Sequence, residues 1–64
     1  MKNSIRKLRM ERELTQQDLG QLVGTSRQAI IAIENGKFDP SLPLAMKLAR
    51  VFNQPIEEIF FSEE

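Results

Sequence analysis

The link Gly24-Thr25-Ser26 limits the fold more than any other part of the chain. Before it, Leu19, Leu22 and Val23 fall at i, i+3 and i+4, the apolar stripe of a short helix. Thr15 stands where an N-cap would open that helix, and Asp18, three residues on, completes a capping-box-like pair. Gly24 stops it. After the link, Ser26 caps a helix running from Arg27 to about Glu34. Asn35-Gly36 ends that helix, since both residues tolerate positive φ. Two short helices joined by three residues, one of them glycine, must cross at a steep angle. Gly20 sits inside the first of them and costs about 1 kcal/mol relative to alanine. Close approach of the following helix is the expected compensation.

Three further helices complete the pattern. Asn3 or Ser4 caps a first helix ending near Glu13, with Ile5 and Leu8 on its inner face. Residues 37–41 form a loop, because Asp39 precedes a proline and is pushed out of the helical region. Ser41 caps a fourth helix, and Pro43 is tolerated in its first turn, where backbone N–H groups lack partners anyway. Leu44, Ala45, Leu48, Ala49 and Phe52 make its inner stripe, and Asn53 ends it. Pro55 opens a short fifth helix over "PIEEIF", with Glu57 and Glu58 near its positive end. "FSEE" trails off as a tail or a short extended segment. The expectation is one all-α domain of five helices over residues 1–64.

Composition narrows the chemistry. The 64 residues allow a single domain with a modest core. Cysteine and histidine are both absent, so no disulfide, thiolate ligand, zinc site or histidine general base can be built. No catalytic residue set, metal, cofactor or small-molecule site is expected. No apolar run approaches a membrane span, and the amino terminus lacks a signal-peptide core, which points to the cytoplasm. The formal net charge is zero but uneven. Residues 1–37 carry seven basic and four acidic side chains; residues 38–64 carry two basic and five acidic. A polyanion would favour the first half.

The two crossed helices read as a helix-turn-helix over about residues 15–35. In that motif the second helix presents its first residues to base edges in the major groove, and the first lies across it as a brace. Arg27 and Gln28 open the second helix. Gln28 can bond adenine N6 and N7 together, and Arg27 can reach guanine or a phosphate. The N–H groups near Ser26 offer a site for a phosphate.

"LTQQDLGQLVGTSRQAIIAIENGK" and "DPSLPLAMKLARVFNQPIEEIF" resemble the Xre/Cro, lambda-repressor-like family of bacterial and phage transcription regulators. The likeness covers roughly Ile5 to Phe60. It implies a lambda-repressor-like DNA-binding domain, and the small form ending in "IEEIF" is similar to stand-alone dimeric repressors. By the same resemblance Gln16 contacts phosphate and braces the recognition helix, while Arg27, Gln28 and Ala32 face the bases. Asn35 and Lys37 match a backbone-contacting loop. Arg9 and Glu34 match a pair that ties the first helix to the end of the third. Glu13 departs from the pattern, standing where a glycine is frequent; a left-handed conformation there would cost about 1 kcal/mol. Ala29 and Ile31 also depart from it, and they alter the reading surface.

Two apolar features remain. Ile56, Ile59, Phe60 and Phe61 crowd the fifth helix, more apolar surface than so small a core absorbs. They predict a homodimer through a segment at about 52–61, which would present two recognition helices to a near-palindromic operator in double-stranded DNA. Ile30 and Ile33 share the inner face of the third helix, which leaves Ile31 on the flank beside Arg27. There it can pack against a thymine methyl. Repression by occluding polymerase follows. The rival reading is a protein-interaction module, such as an antitoxin-like partner, using the same fold.

Overall fold

The computed structural model describes residues 1–61. Five helices, α1 (Ile5–Glu11), α2 (Gln16–Val23), α3 (Arg27–Glu34), α4 (Leu42–Phe52) and α5 (Ile56–Ile59), lie between two short strands, β1 (Lys2–Asn3) and β2 (Phe60–Phe61). The strands pair antiparallel, with Lys2 opposite Phe61 and Asn3 opposite Phe60. The expected five helices are therefore joined by a two-stranded ribbon, and the fifth is shorter than "PIEEIF" because Phe60 already has extended backbone. Of the expected tail, Phe61 lies in β2, and residues 62–64 fall outside the described part.

Every helix gives at least one side chain to the core. Ile5, Leu19, Val23, Ile30, Ile33, Leu48, Phe52 and Ile59 are all at most 2% exposed. Each such burial contributes about 1.5–3 kcal/mol. Leu22 is a correction: it is 60% exposed, and Gly20 takes the buried place beside Leu19 and Val23. A side chain there has no room. A Cβ on Gly20 would sit 2.8 Å from the carbonyl oxygen of Thr25, and Thr25 N–H donates to Gly20 O at 2.8 Å. The close partner is thus the turn itself rather than the body of α3. Gly20→Ala should destabilise the fold by ~1–3 kcal/mol through that backbone collision, despite alanine's better helix propensity. Urea unfolding checks this; a stability gain would refute it.

The helix ends follow the capping chemistry. Thr15 Oγ1 accepts from Asp18 N–H, and the Asp18 carboxylate accepts from Thr15 N–H at 3.0 Å. That backbone bond first, and the Thr15 hydroxyl second, hold the Asp18 carboxyl below its ordinary range. Its contribution to stability is present above that range and is lost as pH falls through the lowered value. Ser26 and Ser41 cap α3 and α4 through Ala29 N–H and Leu44 N–H. Gly24 (φ 74°), Gly36 (φ 73°) and Asn53 (φ 52°) turn the chain left-handed after α2, α3 and α4, whereas Asn35 stays right-handed. Glu13 also has positive φ, at 56°, so the strain expected at this glycine-like position is present. The α1 helix stops at Glu11 rather than Glu13. Neither expected cap acts in the usual way there. Ser4 Oγ donates to Glu58 O, while Asn3 Oδ1 accepts from Ile5 N–H.

Candidate nucleic-acid interface

Burial of Ile30 and Ile33 fixes how α3 is turned. With that face inward, Arg27 and Gln28 are exposed, and Ile31 and Ala32 are half-buried on the outer side. Ser26 Oγ accepts from Ala29 N–H at 3.1 Å, which leaves the hydroxyl hydrogen able to donate outward. Beyond the helix, Lys37 N–H donates to Ala32 O at 2.9 Å, folding the loop with the exposed Asn35 and Lys37 back against the end of α3.

The rear of α3 is held by an ionic network. Glu34 is 5% exposed and Arg9 12% at the side chain. Arg9 Nε donates to Glu34 Oε2 at 2.8 Å, and Arg9 also donates to Leu14 O at 2.8 Å. Gln16 Nε2 donates to Glu34 Oε1 at 3.2 Å. A single carboxylate at the end of α3 therefore gathers α1 and the first residue of α2, while Arg9 ties in the link between them through Leu14 O. Gln16 keeps a second amide hydrogen for an outside acceptor.

Beside this network lies an open hollow of about 680 Å³. Arg27 and Ile31 line it from α3, Gln16 and Gln17 from α2, and Arg6 and Arg9 from α1. Ile31 thus shares a wall with Arg27, one turn before it on the same face. Gln28 and Ala32 lie outside the hollow, further round the helix.

Sequence reasoning missed two residues. Asn3 Nδ2 donates to Ile33 O at 2.8 Å, fastening the end of α3 to the start of α1. A polar residue before a helix reads as a cap, and no local signal marks a contact thirty positions away. Arg12 donates to Phe52 O at 2.7 Å and lies 5.4 Å from the centre of the Phe52 ring, placing positive charge at the end of α4.

The expected dimer segment needs correcting. Ile59 is 0% exposed and has no surface to offer a partner; Phe52, at the start of the segment, is fully buried as its place on the inner stripe of the fourth helix implies. Ile56 and Phe60 are half-buried, and Phe61 is 41% exposed. Among the described residues, no helix is long and apolar enough to cross a membrane. No group of three acidic residues there could hold a metal ion.

A short helix with an exposed polar start, braced from behind by a second helix across a glycine turn, defines a helix-turn-helix protein. The chain belongs to the helix-turn-helix family, whose profile matches residues 5–59. It is 53% identical over 64 residues to an HTH-type transcriptional regulator of Methanocaldococcus jannaschii, covering 100% of this chain and 97% of that protein. It is 34% identical to the cryptic phage CTXphi transcriptional repressor RstR of Vibrio cholerae, over 97% of this chain and 56% of the repressor. In structure it is similar to the restriction-modification controller protein C.AhdI of Aeromonas hydrophila. The TM-score is 0.78 at 32% identity, over 88% of this chain and 85% of the other.

Proposed function

We propose that this chain is a sequence-specific regulator of transcription that acts as a homodimeric repressor on a near-palindromic operator in cytoplasmic DNA. The observation that carries the reading is the Glu34 network. It fixes α3 against α1 and α2 and leaves Arg27, Gln28, Ile31 and Ala32 on the outer side of the helix. In this reading α3 enters the major groove, Gln28 and Arg27 bond base edges, and Ile31 packs on a thymine methyl. Gln16, Ser26, Asn35 and Lys37 hold phosphates. The named relatives are regulators rather than enzymes, and RstR is a repressor. Polymerase is excluded from a promoter that the protein occupies.

Dimerisation in this reading uses Ile56, Phe60 and Phe61, with Glu57 and Glu58 beside them. The acidic end of the chain then lies away from DNA, and doubling the phosphate contacts offsets the zero net charge. DNA selected from random fragments should carry two half-sites about one helical turn, ~34 Å, apart. Affinity should fall steeply as salt rises. Phe61→Glu should sediment as a monomer and lose the two-half-site footprint. A flat salt dependence together with a tight protein partner would overturn this reading in favour of a protein-interaction module.

A further inference from the structure

The hollow beside α3 carries a net positive charge. Its charged lining consists of Arg6, Arg9 and Arg27 against Glu13 and Glu34. Arg9 and Glu34 close on each other at 2.8 Å and are both nearly buried, so their charges cancel locally. With that pair closed, Arg6 and Arg27 outweigh Glu13, and of the two arginines Arg6 is the one outside α3. It stands three residues before Arg9 on α1, a spacing that puts the two on one side of the helix. Arg6 is exposed, and neither ion pair among the described residues includes it. Its guanidinium is therefore a charged fork with no bound partner there, in the lining that α1 shares with Arg27 and Ile31 of α3.

We propose that Arg6 is a phosphate-binding residue of the DNA interface, contacting the backbone strand that crosses the hollow alongside α3. This rests on the DNA-binding reading above. A strand flanking the groove that α3 enters must pass one side of that helix, and Arg27 and Ile31 mark the side on which the hollow opens. A planar guanidinium there can bond two phosphate oxygens at once. The contact carries no base information, so it raises affinity for all sequences alike. In a chain with no net charge, one such contact on each protomer is a large share of the electrostatic attraction.

The test compares Arg6→Gln with Lys7→Gln on selected DNA and on unrelated duplex, across a range of salt concentration. Both variants lose one positive charge from neighbouring exposed positions of α1, but Lys7 does not line the hollow. Arg6→Gln should lower the salt slope by about 0.9 for each protomer bound. Between 50 and 200 mM salt its affinity then falls about threefold less per contact than that of the parent. The loss should be equal on both DNAs, and Arg6→Lys should restore most of it. Glu13→Gln, which removes the hollow's unpaired carboxylate, should tighten binding. Thermal unfolding should be unchanged for Arg6→Gln. A slope equal to the parent's, or a change no larger than that of Lys7→Gln, would overturn the role of Arg6 while leaving the DNA reading intact. A parent protein with no salt-dependent DNA binding would instead overturn the reading on which it rests.

Discussion

Glu34→Gln is expected to remove most of the stability of the domain, about 3–5 kcal/mol. The whole fold has roughly 3–10 kcal/mol at this size. Glutamine keeps the shape of the side chain and can still accept one hydrogen bond from Arg9. What it removes is the negative charge. That leaves a guanidinium that is 12% exposed, with no counter-charge and too little water around it. An exposed ion pair would contribute only about 0–1 kcal/mol, so the size of the loss distinguishes the two cases. Chemical unfolding of Glu34→Gln measures it, and a loss under 1 kcal/mol would mean that solvent reaches the pair after all. The double variant Arg9→Met/Glu34→Leu refines the argument. Replacing both charges by apolar groups of similar size is often neutral or stabilising. It should recover much of the stability. It should not recover DNA binding in full, because Gln16 loses the carboxylate that orients its amide.

The features legible in the sequence are those written over a few residues. Ser26, Ser41 and the Thr15–Asp18 box announce helix starts because each serves an N–H two or three positions ahead. Gly24, Gly36 and Asn53 announce turns because positive φ suits them. Leu22 misled because the i, i+3, i+4 rule counts apolar residues and cannot register a glycine as buried. The turn packs against the bare Gly20 backbone, which rolls α2 so that Leu22 faces out. Ile59 misled for the opposite reason. A small core was expected to be full before reaching it, yet it is 0% exposed and joins the core cluster with Phe52. Asn3, Arg6 and Arg12 act on distant partners or on a surface formed by three helices, so their roles become visible only once those helices are placed.

Gln28→Ala should weaken binding to selected DNA by about 1–3 kcal/mol, which is five- to more than a hundredfold. Ile30 and Ile33 set the direction of the Gln28 side chain. Because they are 0% and 1% exposed, α3 cannot rotate, and Gln28 must point outward from its first turn. No hydrogen bond among the described residues occupies its amide, and an amide can bond the adjacent N6 and N7 of adenine together. Its removal should relax preference at one position of each half-site and leave unrelated duplex binding unchanged. That pattern separates it from a phosphate contact such as the one proposed for Arg6, which acts on every sequence alike. Ile31 provides the control. It is half-buried in the wall of the hollow beside Arg27 and offers only apolar contact. Ile31→Ser should therefore shift preference away from thymine at a neighbouring position at smaller cost than the loss of Gln28. If Gln28→Ala leaves both the affinity and the selected sequence as they were, Gln28 does not read a base.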